Sequence, residues 1–476
     1  MAPPCPANTF GRGNAGNVTI NASGAISLDG ASTGIGSQVF ENAVGNGGNI
    51  TITTGTLSLS GGATLVANTS GRGNAGNVTI NASDAVSLDG VGTGTQVTGI
   101  GSQTLAGGVG NGGNIEITAE SLLMTNGARL ISATSGQGNG GNVNIVVRDT
   151  VSFDGVGSNG QNSGVFSSVE SGGAGEGGDI RVSANTLNLS NEAVLDAQTE
   201  TSFKAGEILI NAAQSVNLNQ ASLLALSTDQ SATAGDAGNI TINTGELTAR
   251  NGRFATSSEQ SSGGNINITA DQIRLFDDSG ITTNVNQGAG DGGNINLKAD
   301  SILAFDNSDI LAFANDGQGG DITLDSPAFF GQNYSPVSRN RNTDSLDNNN
   351  RVDVNATGVV SGVIVISDTT FIQNSLADLP ENQIDTDILL ANSCIVRRDQ
   401  PRGSFMITGT GGLPQRPGNM QMSTFSTVDV ETLPDDDKPS TANPRRSWQV
   451  GDPIVEPQGL YRLPNGKVVL SRECPE

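Results

Sequence analysis

The chain has 476 residues, a net charge of −24, no histidine, 66 glycines, 35% hydrophobic and 4% aromatic residues. The missing histidine excludes imidazole acid–base catalysis and imidazole metal ligation, and the acidic balance excludes a surface built to neutralise nucleic-acid phosphates. Glycine is abundant without collagen's period of three, and the apolar content is thin for a thick globular core.

The charge is uneven. Residues 1–325 carry 10 Lys/Arg against 29 Asp/Glu, a net of −19, whereas residues 326–476 carry 13 against 18, a net of −5. An acidic body of this kind reads as the solubility and self-repulsion of a secreted or surface protein. No apolar run reaches the roughly eighteen residues of a membrane-spanning helix. The opening "MAPPCPANTF" has neither the basic nor the apolar stretch of a signal peptide. Ten residues are short for the cap that shields a solenoid's first coil, so residues 1–10 are expected to be a truncated N-terminal stub.

From residue 11 the chain repeats. "GRGNAGNVTINAS" at 11–23 recurs letter for letter at 71–83. Alignment on the glycine of "GNVTI" gives eleven copies, with register glycines at Gly16, Gly48, Gly76, Gly113, Gly141, Gly178, Gly206, Gly238, Gly264, Gly293 and Gly320. The steps between them, 26 to 37 residues, fall in the range of stacked-repeat architectures. In every copy the residue two past the glycine is Ile or Val, and the residue four past is Ile, Val or Leu. Mostly polar residues stand between them, with Leu209 an exception. This is the period-two alternation of a strand with one buried face.

A second alternating pair follows, as in Ile26/Leu28, Leu57/Leu59, Val86/Leu88, Leu187/Leu189, Val216/Leu218 and Ile273/Leu275. A third segment comes after a turn, as in "ATLVA" (63–67), "ARLIS" (128–132) and "AVLDA" (193–197). Three short strands per repeat make one coil of a parallel β-helix. The expected fold is therefore all-β, a β-solenoid of about eleven three-strand coils over residues 11–325.

The residue after the register glycine is Asn17, Asn49, Asn77, Asn114, Asn142, Asn239, Asn265 or Asn294 in eight copies, Asp179 or Asp321 in two, and Glu207 in one. A metal column would favour carboxylates over amides, so these asparagines are expected to be structural, stacked at one corner with their amides bonding along the rod. Copies also alternate between a type with "SLDG" or "SFDG" and a type such as "LSLSGGA", which points to a two-coil ancestral unit. Longer steps are expected to bulge as loops on one face, where a binding surface would most naturally lie.

The pattern stops near Leu324. Residues 331–356 are polar, and "GVVSGVIVISD" (358–368) reads as a buried strand or a last atypical coil. We assign 326–400 to that atypical coil and capping region, and 401–476 to a Pro-rich linker and tail. "LYRLPNGKVVLSREC" reads as a hairpin with "NG" at its tip. Cys394 and Cys474 either pair, pinning the tail, or remain free thiols; the sequence leaves both open. No CxxC pattern or histidine partner gives the three cysteines a metal or nucleophilic role.

Taken together, the "GGNI-T-I" coils with "LxLxxGAxL" second strands (about 11–325) and the tail "NSCIVRR…RGSFMITGTGGLPQRP" (392–417) followed by "NGKVVL" (465–470) resemble the filamentous haemagglutinin-like exoproteins of the two-partner secretion route, in the cyanobacterial form. The resemblance implies a right-handed β-helix, export through an outer-membrane secretion partner, an extracellular or outer-membrane-surface location and, as in many members, an adhesin role with a glycan or protein receptor. The family's N-terminal secretion domain is missing from this sequence.

The expected function is thus a non-enzymatic, adhesin-like rod without cofactor. The alternatives are a polysaccharide lyase or hydrolase, a calcium-binding repeat protein and an ice-binding threonine array. Catalysis would need clustered carboxylates with a cation, but the body's lysines, Lys204 and Lys298, lie about three coils apart, and Asp29, Asp89 and Asp154 sit in Asp-Gly turns. "GGAGEGGDI" (172–180) and "GAGDGGNI" (288–295) resemble calcium-binding nonapeptides without iterating. Thr19, Thr51, Thr79, Thr241 and Thr323 share one strand position, interrupted by Glu116, Asn144, Arg181 and Leu209.

Overall fold

The computed structural model describes residues 5–90, 97–231, 233–334, 346, 349–366, 459–462, 465–466 and 468–471. All of their regular structure is β-strand. The chain divides into two units, Met1–Ser375 and Leu376–Glu476.

The first unit is a parallel β-solenoid. Its first-strand ladder runs Val18, Ile50, Val78, Ile115, Val143, Ile180, Ile208, Ile240, Ile266, Ile295, Ile322 and Ile364, every pairing parallel. Every register glycine read from the sequence therefore heads an equivalent strand, and "GVIVI" (362–366) supplies one more. The second strands stack likewise, with Ile26 against Leu57 and Leu57 against Val86. The third strands form a twelve-stranded parallel sheet. At about 4.8 Å per coil the stack is roughly 50 Å long.

Alternation buries one side chain in two on the first and second sides, whereas third strands such as Gly164–Phe166 and Val194–Asp196 are buried at all three positions. Ile50, Ile52, Leu57, Leu59 and Leu65 of one coil are all within 1% of full burial, and their equivalents make one continuous apolar column. Between the third strand and the next register glycine each coil touches its neighbour at further isolated bridges, such as Val39 to Thr69 and Val44 to Arg72. These points show no apolar alternation and are not legible as strands. Some inward positions there carry hydroxyls. Ser132, Ser167, Thr256 and Thr283 each donate to a register-glycine carbonyl at 2.6 Å, whereas the Thr69 and Ser227 hydroxyls at the bridges are buried without a partner.

Close approach explains the register glycines. A Cβ on Gly141 would fall within 3.0 Å of the Gly113 carbonyl oxygen and of the Ser132 hydroxyl, and equivalent clashes occur at Gly48, Gly76, Gly113, Gly178 and onward. Left-handed backbone explains the turn after the second strand. Gly61–Gly62, Asn126–Gly127, Asn191–Glu192, Asp277–Asp278 and Asp306–Asn307 all have positive φ, and Glu192, at 68°, is the residue type least suited to it.

The N-terminal end differs from the sequence reading, and the C-terminal end follows its reading as an atypical coil. Cys5–Pro6 pairs in parallel with Gly34–Gly36, and Thr9 bridges to Val39, so residues 5–9 stack as part of the third side rather than standing as a stub before the coils. At the other end Phe329–Gly331, Val354–Asn355 and Ile364–Ile366 each pair with the preceding coil. The atypical coil thus continues the solenoid to Ile366, with its extra length between Gly331 and Val352. Leu346 and Val352 are fully buried. The long steps open at more than one corner. The third strand begins at Thr64, 16 residues after Gly48, but at Gly99, 23 after Gly76.

In the second unit Gly459–Arg462 pairs antiparallel with Val468–Ser471, and Gly466 at the tip has φ 84°. The expected hairpin is present. Cys394 and Cys474 lie outside the described residues.

Candidate functional site

The eight predicted asparagines fall in one column, but their bonding differs from the amide-to-amide stack expected. In each case of a standard step the side-chain oxygen accepts the backbone N–H of the next coil. Asn17 Oδ1 takes Asn49 N at 2.8 Å, Asn49 takes Asn77 at 2.9 Å, Asn77 takes Asn114 at 2.8 Å and Asn114 takes Asn142 at 2.9 Å. Asn142 and Asp179 continue to Asp179 N and Glu207 N, and Asn239, Asn265 and Asn294 to Asn265, Asn294 and Asp321 N. Only Oδ1 is needed, which is why Asp179 and Asp321 fit. Glu207 is one methylene too long; there Asn239 Nδ2 donates to Glu207 Oε1 at 3.0 Å instead.

A second row, missed from the sequence, lies three residues upstream. Asn14, Asn46, Asn74, Asn111 and Asn139 accept the N–H groups of Asn46, Asn74, Asn111, Asn139 and Glu176 at 2.8–3.1 Å. The spacing N-x-G-N was the available signal.

The turn aspartates are also engaged. Asp29 Oδ1 accepts Ser60 Oγ at 2.7 Å, Asp89 accepts Asn126 Nδ2 at 2.9 Å, and Asp154 accepts Ser190 Oγ at 2.5 Å and Asn191 Nδ2 at 2.7 Å. At these three turns of the two-coil beat an acid in one coil meets neutral donors in the next. The threonines of the first strand do share a column, broken between Thr79 and Thr241 by Glu116, Asn144, Arg181 and Leu209. Among the described residues no three His, Cys, Asp or Glu side chains come together to hold a metal ion.

Two further features remain, a charged cluster on the third side and a groove at a corner. On the third side Ile131, Phe166 and Asp196 stack in register. The Arg129 guanidinium lies 3.6 Å over the Phe166 ring and donates to Gln161 Oε1 at 2.6 Å, while its Nε is buried without a partner. Asp196 is 7% exposed, and its Oδ1 accepts Gln198 N at 3.0 Å. Burial pushes its carboxyl up to about 6, the Gln198 hydrogen bond and Arg129 oppose this, and Glu200 and Glu170 add to it. Desolvation likewise lowers the Arg129 guanidinium from its ordinary value.

The second feature is a groove of about 690 Å³ at the corner between first and second strands. Going up this corner, Glu120 N bonds the Asp84 carbonyl, Asp149 N that of Glu120, and Asn185 N that of Asp149. Further on Asp271 N bonds the Gly245 carbonyl, and Asp300 N that of Asp271. From Asp84 to Asp300 the corner is acidic on successive coils except at Asn185, Gln214 and Gly245, and there the groove opens; the two coils before Asp84 carry Gly24 and Gly55. The coil of Gln214 carries one residue more than both neighbours, a bulge at Ala213–Gln214. Ala184, Ala212 and the exposed Ala213 line it, with Val146, Asn211 and Asn243 beside them.

The chain is a parallel β-solenoid whose coils are tied by rows of side-chain oxygens. Compared with protein-family models, with curated proteins and with solved structures, it gives no match.

Proposed function

We propose that the protein is a non-enzymatic rod, secreted or held at the cell surface, that makes adhesin-like contacts in the manner of the filamentous haemagglutinin-like exoproteins it resembles. The observation that carries this reading is the use of the acidic side chains. Asp29, Asp89 and Asp154, the recurring carboxylates a β-helix glycosidase or lyase would draw on, each accept hydrogen bonds from the following coil. They are spaced two coils apart and hold the stack rather than converge on a substrate. The remaining surface is extended, acidic and rich in small polar residues, suited to contact along its length. By that resemblance such a rod would leave the cell through an outer-membrane secretion partner.

The test is direct. Beads coated with the purified chain are scored for attachment to cells of the producing organism and to unrelated cells, and the soluble chain is incubated with a panel of polysaccharides while new reducing or unsaturated ends are counted. Attachment above albumin-coated beads, with no new ends, is expected. Turnover of any polysaccharide, or attachment equal to the control, refutes the reading.

A further inference from the structure

The corner groove interrupts the acidic stretch of this edge that runs from Asp84 to Asp300. We propose that it binds a neutral oligosaccharide lying along the rod axis. The first argument is charge. Asp149 and Asp271 close the two ends of the gap, and Arg148, at the near end, is already paired with Glu120 at 2.5 Å. On a body of net charge −19, polyanions meet repulsion at both ends, whereas uncharged polar chains do not.

The second argument is hydrogen-bonding capacity. Asn243 Nδ2 donates to Asn211 Oδ1 at 2.9 Å, and Asn185 Nδ2 to Gln214 Oε1 at 3.3 Å. Those bonds orient the amides and leave Asn211 Nδ2 and Gln214 Nε2 as donors, Asn243 Oδ1 as an acceptor, and the Ser183 hydroxyl as either. A mixture of donors and acceptors is what sugar hydroxyls require. The methyl groups of Ala184 and Ala213 give the C–H faces of a ring something apolar to rest on.

The third argument is spacing. Polar side chains at equivalent positions, Ser183, Asn211 and Asn243 in one column and Asn185 and Gln214 in the other, lie one coil or about 4.8 Å apart, and the five coils from Arg148 to Asp271 span roughly 19 Å. One coil is comparable to one pyranose unit, so a short linear chain presents its repeating hydroxyls in step with the coils. Outside the bulge at Ala213–Gln214 the backbone on both sides of the groove is paired in the ladders, so an added peptide strand finds no continuous edge. No aromatic platform lines the groove, which places the affinity at a dissociation constant on the order of 0.1–1 mM.

This inference deepens the surface-rod reading, but its binding step is tested on the isolated chain. The full chain is titrated by calorimetry and by saturation-transfer NMR with neutral β-1,4-glucan, α-1,4-glucan and β-1,4-mannan hexasaccharides, and with an acidic hexauronate. At least one neutral hexasaccharide is expected to bind and the hexauronate is not. Two variants address the groove: Gln214→Glu, which restores the acid while keeping the acceptor for Asn185, and Ala213→Trp, which fills the groove at an exposed position. Each is expected to weaken binding about tenfold with an unchanged circular-dichroism spectrum. Failure of all three neutral probes to bind, equal binding of the hexauronate, or binding unaffected by both variants overturns the proposal. Cell attachment that persists in both variants while sugar binding is lost leaves the surface-rod reading standing without the groove as its receptor site.

Discussion

Replacing Asp196 by Asn isolates one buried carboxyl in a chain with 47 acidic residues. Folding raises that carboxyl from 3.8 to about 6. A carboxyl with a raised pKa binds its proton more tightly when folded, so stability is full below the unfolded value and falls as pH rises through the folded one. The window is about pH 4 to 6, and the difference of about two pH units corresponds to about 3 kcal/mol. Arg129, Glu170 and Glu200 face the same group and are unchanged in the variant, and Asn keeps the oxygen that accepts Gln198 N. Urea unfolding followed by circular dichroism at pH 3.5, 5 and 7 gives stability for both proteins. Asp196→Asn minus wild type is expected to climb by about 3 kcal/mol from the lowest pH to the highest. A difference that stays flat, or that falls, refutes the burial argument for this side chain.

Asn77→Asp retains the ladder oxygen and is expected to change stability by less than about 0.5 kcal/mol at pH 7, whereas Asn77→Ala orphans the Asn114 N–H and costs about 1 kcal/mol; hydrogen exchange at Asn114 is the readout, and equal effects of the two changes contradict an oxygen-only ladder. Gly141→Ala places a methyl against the Gly113 carbonyl and is expected to cost about 3 kcal/mol or more, measured as a lowered urea midpoint; a neutral result contradicts the close approach. Glu192→Gly releases a left-handed non-glycine residue and is expected to stabilise by about 0.5–1 kcal/mol, seen as a raised thermal midpoint. A loss of stability would mean that the Glu192 side chain makes a contact worth more than the strain.

The coils were legible because apolar pairs two residues apart and an invariant small residue recur at every turn, and both follow from stacking. Val18, Ile50 and Val78 can be aligned by eye. The isolated bridges at Thr69 and Arg72 were not legible, because their contacts are single, and some inward residues there are hydroxyl-bearing rather than apolar. The direction of the asparagine bonds was likewise hidden: composition gives an amide column, but only the corner geometry decides that the donor is the next coil's backbone. The groove depends on three residues, Asn185, Gln214 and Gly245, that are ordinary singly and become a gap only when the corner is lined up coil by coil across a bulge. Asp196 reads in "AVLDA" as an outer strand residue; its burial comes from Phe166 and Arg129, one and two coils earlier.

The asparagine rows run one way. Each oxygen serves the coil that follows it in the chain, never the one before, and the row ends where Asp321 accepts Val363 N at 2.7 Å and the hydrophobic Val363 offers no acceptor onward. A finished coil therefore presents a prepared line of acceptors to whatever residues emerge next. For a chain that is made from its N-terminus, each new turn arrives on a line of acceptors already in place. The solenoid is in this sense polar along its axis, with assembly favoured in the order of synthesis, and a side chain deleted from a row is felt first by the coil above it.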